Sequence, residues 1–243
     1  LTSAWSTGGN LNTARRNLSG AGTQTSALAF GGGGPPYEAV TESWNGSSWT
    51  EVNDLNTARR LASGCGADNT SALSIGGDTP PVTANTESWN GTNWTEVNNL
   101  NTARRQLAAA GVVPSALAFG GENPGTTNLD ITELWNGTNW TEVNDLNQAR
   151  YNLAGAGANN TAALAFGGYN TSVGTALANT ENWNGTSWFE VNDLNTAKYN
   201  AGGVGTNTAA LSFGGSPQVV LTESWNGSLW TETNDMNTGR GEL

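Results

Sequence analysis

Residues 44–59 read W-N-G-S-S-W-T-E-V-N-D-L-N-T-A-R, and this string returns with few changes down the whole chain. Its tryptophans come in pairs: Trp44 with Trp49, Trp89 with Trp94, Trp135 with Trp140, Trp183 with Trp188, and Trp225 with Trp230. Ten positions after each second Trp stands a basic residue: Arg59, Arg104, Arg150, Lys198 and Arg240. The first tryptophans follow one another at 45, 46, 48 and 42 residues. A near-constant period of this size marks a repeat architecture, in which no unit can bury its apolar face without neighbours. All 243 residues are therefore expected to form one domain.

Each unit divides into four strand-length segments separated by Gly, Asn, Asp or Pro. In the second unit these are R-R-L-A-S-G-C-G, S-A-L-S-I-G-G, N-T-E-S-W-N and W-T-E-V-N-N-L. None has the apolar spacing of an amphipathic helix. Asn90-Gly91 and its four equivalents signal a hairpin, because both residue types tolerate positive φ. Four antiparallel strands per unit, repeated radially, predict an all-β fold, a five-bladed β-propeller.

These residues resemble the kelch repeat family. The likeness lies in an Arg opening the first strand, an apolar run closing on Gly-Gly, an aromatic ending the third strand and a Trp on the fourth. It covers essentially the whole chain in five copies, although Trp-Asn-Gly stands where the family usually has a Tyr-Asp-Pro-type turn. Within that family the chain looks like the repeats of predicted structural proteins of marine phages and bacteria. The resemblance implies a propeller whose first strands line a central channel, on a virion or another extracellular surface.

Blades are expected at roughly 15–56, 57–101, 102–147, 148–195 and 196–238, preceded by an N-terminal strand within 1–14. Trp5 stands ten residues before Arg15, so the Trp-to-basic segment occurs six times, against five Gly-Gly doublets that close an apolar run: Gly31-Gly32, Gly76-Gly77, Gly120-Gly121, Gly167-Gly168 and Gly214-Gly215. Either the Trp5 segment or the Trp230 segment must complete the fifth blade. The other is left over, to fray or to pair at an exposed edge with a second molecule.

Composition narrows the function. Charged residues make up 12% and the net charge is −11, which opposes nonspecific binding to nucleic acid or anionic membrane. No apolar run is long enough to insert across a bilayer as a helix. The opening L-T-S-A-W has neither a starting Met nor a signal-like pattern, which suggests excision from something longer. There is no histidine, so the commonest general base and transition-metal ligand is missing, and Cys65 has no partner for a disulfide or a catalytic dyad. No cofactor, metal site or enzyme activity is expected. The N-D-L-N step lacks the ligand spacing of a calcium loop and reads as an Asx-turn. The Asn-Gly-Ser/Thr triplets match a glycosylation acceptor, but the hairpin accounts for them.

What remains is a module that binds or displays. Length varies mainly between Gly-Gly and Thr-Glu, in 33–40, 78–85, 122–131, 169–179 and 216–221, and variable loops on a rigid scaffold are where recognition concentrates. From them Tyr37, Asp78, Glu122, Tyr169 and Asn170 are candidate ligand-binding residues. The second basic residues, Arg16, Arg60 and Arg105, are candidates for an anion site at the channel mouth. The first, Arg59, Arg104 and Arg150, are expected to pair with one of two repeated glutamate sets: Glu42, Glu87, Glu133, Glu181 and Glu223, or Glu51, Glu96, Glu142, Glu190 and Glu232. The ten paired tryptophans are read as packing between blades or over hairpins rather than as sugar platforms. The expected partner is a protein, in structural attachment, or alternatively a surface glycan bound at the loop rim or in repeated interblade pockets. The oligomeric state stays open.

Overall fold

The computed structural model describes residues 4–217 and 220–241. Residues 1–3 of the N-terminal segment and residues 218 and 219 of the fifth variable stretch lie outside it. The fold is a five-bladed β-propeller, each blade one four-stranded antiparallel sheet in sequence order. Blade two shows the pattern: Ser63–Asp68 innermost, then Ser71–Ile75, Thr86–Trp89 and Trp94–Val97. In blade five the order is Gly202–Thr206, Ala209–Phe213, Thr222–Trp225 and Trp230–Glu232, so the C-terminal Trp segment supplies its outer strand.

Local sequence explains each joint. The third and fourth strands are linked through Asn45-Gly46-Ser47-Ser48, where Asn45 Oδ1 accepts from the amides of Ser47 and Ser48 at 3.0 Å. Only the glycine has positive φ here, 94° at Gly46. The Asn thus works as an Asx-turn acceptor, not as the left-handed residue the Asn-Gly pair predicts. The Gly-Gly doublet has a steric cause. A Cβ on Gly76 would lie 2.5 Å from the Arg104 carbonyl oxygen, and one on Gly77 would lie 2.8 Å from that of Arg60. Two entering chains close on the doublet, and any side chain would hold them apart.

The first strand does not open on the basic residue, as the resemblance implies. Arg59 and Arg60 precede it, and Leu61 between them and the strand adopts φ 55°. Asn17, Gln106, Asn152 and Asn200 repeat that left-handed turn in the other blades. The strands then run past the axis on small residues, since a Cβ on Gly64 would lie 2.5 Å from the Gly20 carbonyl oxygen of blade one.

The core sits between blades. Leu28 and Phe30 of blade one pack with Ala72, Trp89 and Trp94 of blade two. The joints between blades two and three, three and four, and four and five repeat this arrangement.

The sequence reads all ten tryptophans alike, but the two members of each pair are held differently. The first bonds within its own blade: Trp183 Nε1 donates to the Asn160 carbonyl at 3.0 Å, as Trp135 and Trp225 do to the Val113 and Asn207 carbonyls. The second reaches across the joint. Trp188 of blade four is 5% exposed and donates from Nε1 to the buried Thr132 Oγ1 of blade three at 2.9 Å. Its ring lies 4.9 Å from Phe119 of that same blade. Trp94 repeats both contacts one joint earlier, with Thr41 at 3.0 Å and Phe30 at 4.8 Å. Trp188 and its equivalents are therefore wedges whose one polar atom is satisfied.

Candidate functional site

The linker N-D-L-N-T-A-R is a latch, every polar residue of which has a place. Asn53 reaches forward to the Thr92 carbonyl at 2.9 Å, in the next blade's hairpin. Asp54 turns back to accept from Thr41 N–H at 3.1 Å. The Asn56 amide and carboxamide both donate to Glu87 Oε2, at 2.8 and 2.9 Å, and Thr57 N–H donates to Oε1. Arg59 then closes on the same carboxylate at 2.5 Å and donates to the Gly76 and Asn85 carbonyls.

The same pairing recurs as Arg15–Glu42, Arg104–Glu133, Arg150–Glu181 and Lys198–Glu223, all with side chains at most 1% exposed. Of the two repeated glutamate sets, the Thr-Glu set is the partner. Glu51, Glu96, Glu142, Glu190 and Glu232 instead face solvent. Burial pulls Arg59, Arg104 and Arg150 below the usual arginine range, and the paired glutamates oppose it.

Lys198 is the weak latch. Its Nζ lies 3.3 Å from Glu223 but is not aligned for a hydrogen bond. Burial lowers its pKa, against the pull of Glu223. Lys198→Arg is expected to stabilise the chain by about 1 kcal/mol, the net worth of one added buried hydrogen bond. The guanidinium would reach the backbone carbonyls that Arg59 uses in its own blade. Urea unfolding of the two proteins measures the difference.

Once the duplicated residues are accounted for, the unduplicated ones fall on one rim. The variable stretches lie against the linkers there, as Leu55 N–H donates to the Ala39 carbonyl and Leu100 N–H to that of Ala84. The residue after each basic residue bridges the residue after each Gly-Gly: Arg60 with Asp78, Arg105 with Glu122, Tyr151 with Tyr169, and Tyr199 with Ser216. Candidates that the sequence assigns separately to loops and channel mouth therefore meet in one arc.

Tyr37 Oη donates to Asp78 Oδ2 at 3.1 Å, and the Arg60 guanidinium lies 4.8 Å over the Tyr37 ring. Asp78 lies 3.3 Å from Arg60 and 3.4 Å from Arg105, which also holds Glu122 at 2.8 Å. Burial, and after it Glu122, pushes the Tyr151 phenol up, which links the charged half of the arc to the aromatic half. There Tyr169 sits 5.8 Å from Tyr151 and 5.4 Å from Tyr199, both edge-on.

This arrangement alters the roles predicted for several candidates. Arg60 and Arg105 do not make a bare cationic mouth, because Asp78 and Glu122 neutralise them within the chain. Arg16 stands apart from that network and is exposed. Asp78 and Glu122 are themselves buried, so they orient the arginines rather than reach for a ligand. Asn170 is spent on its own loop, donating to the Ala149 carbonyl and accepting from the Ser172 and Val173 amides. Cys65 is buried, and burial pushes its thiol up to about 12, which takes it out of thiolate chemistry near neutral pH.

The channel mouth belongs to residues that sequence reasoning missed, Asn17, Leu61, Gln106, Asn152 and Asn200. Successive members are joined by amide-to-carbonyl bonds, from Leu61 to Asn17, Gln106 to Leu61, Asn152 to Gln106, and Asn200 to Asn152. The signal was faint: a position two after the basic residue that changes identity freely, because only its backbone is used. The cavity there is about 70 Å³, and the next one along the glycine-lined axis is about 150 Å³. Small-molecule sites usually occupy roughly 300–1,000 Å³, so each of these axial cavities is small for one.

No known family profile matches the chain, and neither does any curated protein.

Proposed function

We propose that the chain is a non-catalytic binding or display module that engages a protein partner through the rim arc running from Tyr37 to Tyr199. The observation that carries this reading is a division of labour. The repeated residues are consumed in latching blades together, while half-buried Tyr and Arg side chains that differ from blade to blade gather in one arc. Tyrosine and arginine are the residue types that carry most binding energy at protein interfaces, and here acids already hold the arginines in place. The kelch-like resemblance supports a virion or extracellular surface as the location of such a module.

A lectin is the second reading, favoured by the three adjacent tyrosine rings of Tyr151, Tyr169 and Tyr199. A glycan array followed by calorimetric titration separates the two. Glycan binding that disappears in Tyr169→Ala establishes the lectin, whereas no binding at millimolar glycan removes it. For a captured protein partner, the double variant Tyr37→Ala with Tyr169→Ala is expected to bind about 30-fold more weakly, a hot-spot loss of about 2 kcal/mol. Unchanged affinity would place the interface elsewhere.

A further inference from the structure

Four of the five joints between blades are alike, and the fifth is not. Leu61, Gln106, Asn152 and Asn200 each donate an amide to the preceding blade's carbonyl, but Asn17 makes no such bond to Asn200. Inner strands of successive blades pack side by side, except Ser19–Thr23 of blade one and Gly202–Thr206 of blade five. A Cβ on Gly64 or Gly203 would strike the carbonyl of the blade before, whereas one on Gly20 would meet only its own sheet. Trp49 donates to the Gly9 carbonyl rather than to Thr222.

Thr222 is taken by Trp5, whose Nε1 lies 3.1 Å away. Trp5 also sits 5.2 Å from Phe213, as Trp230 sits 4.9 Å from Phe166. Asn237 donates to the Trp5 carbonyl at 3.0 Å, as Asn195 does to that of Trp230 at 3.1 Å. Gly215 N–H reaches the Arg240 carbonyl at 2.9 Å, as Gly32 N–H reaches that of Arg59 at 2.8 Å. Residues 237–240 and 5–12 thus hold the entry and the fourth-strand place of one more repeat position, and nothing described fills the three strands between them. The left-over segment neither frays nor joins a ladder.

What would line that position is bare. Val204 is 49% exposed, against 3–6% for its equivalents Cys65, Ala110 and Ala156. Trp44 and Trp49 are half-buried, and Arg240 is exposed although Arg59, Arg104, Arg150 and Lys198 at its equivalents are buried. A cavity of about 310 Å³ lies beside Trp5, Phe213, Met236 and Arg240.

We infer that this seam is a docking site for three β-strands of a further repeat unit of the same pattern. Its Thr-Glu glutamate would pair with Arg240, and its Leu and Phe positions would cover Trp44 and Trp49. Charge complementarity fixes the occupant, because Arg240 meets no carboxylate among the described residues. A folded second copy cannot supply the Thr-Glu carboxylate, because Glu42, Glu87, Glu133, Glu181 and Glu223 are buried inside their own blades. The inference rests on the packing of blades one and five and not on rim binding.

The test uses the whole chain and a peptide of residues 105–135, which holds the first three strands of blade three and Glu133. Saturable one-to-one binding that raises Tm is expected, weakened at least tenfold by Val204→Asp in the chain or by Glu133→Gln in the peptide. Binding equally strong with either change would be indiscriminate strand pairing and would overturn the inference. So would a dimer of the chain alone that Val204→Asp dissociates, since the occupant would then be a second copy. As a check on an insoluble peptide, the same residues appended after Leu243 should raise Tm by several degrees. An appended segment that leaves Tm unchanged, and the Trp5 contacts undisturbed, would also overturn it.

Discussion

Replacing Glu133 with alanine is expected to cost about 3–5 kcal/mol, because removing one partner strands the other charge in the interior. Glu133 is fully buried and accepts from Arg104 at 2.5 Å, from the Asn101 amide and carboxamide at 2.7 Å, and from Thr102 N–H. Of these donors Arg104 is itself fully buried and has no water to turn to. Glu142 pairs with Glu133 across the third and fourth strands, yet it faces solvent. Glu142→Ala should therefore stay within about 0.5 kcal/mol. Urea denaturation followed by circular dichroism reads both variants. A cost below about 1 kcal/mol at Glu133 would mean that the buried carboxylate is not the latch between blades two and three.

That contrast also marks how far the sequence could be read. Two glutamate sets repeat with one period, so periodicity cannot choose between them. The choice falls to position in the blade: the two residues of each Glu–Glu pair share a face, but the internal third strand buries its glutamate and the outer fourth strand leaves its own exposed. Blade number, strand order and the packing role of the indoles were legible, since each is a nearest-neighbour property that every copy restates. Which indole of a pair crosses the joint was not, because Trp183 and Trp188 repeat with the same period and differ only in the partner their N–H meets. The arc was legible only as two unrelated lists, because the bridge between Arg60 and Asp78 spans a strand pair whose register no local motif announces. The seam was legible only as a surplus, one Trp-to-basic segment more than the five blades need. Each repeat encodes the angle to its neighbour, and whether five such angles complete a circle is a sum that no single repeat contains.

The sum can be tested one indole at a time. Trp140→Ala is expected to cost about 3–5 kcal/mol, the usual price of emptying a large aromatic site in a packed core. It is 5% exposed, lies among the buried side chains joining blades two and three, and donates to Thr86 at 3.2 Å. Trp49 occupies the same place in blade one but is half-buried and donates to the Gly9 carbonyl, with blade five standing off. Less apolar area leaves water there, so Trp49→Ala should cost about 1–2.5 kcal/mol. Equal losses at the two positions would mean that all five joints are packed alike. A clear difference, read by the same denaturation, would mean that one joint of the ring is loosely packed, and that the chain's stability resides in the other four.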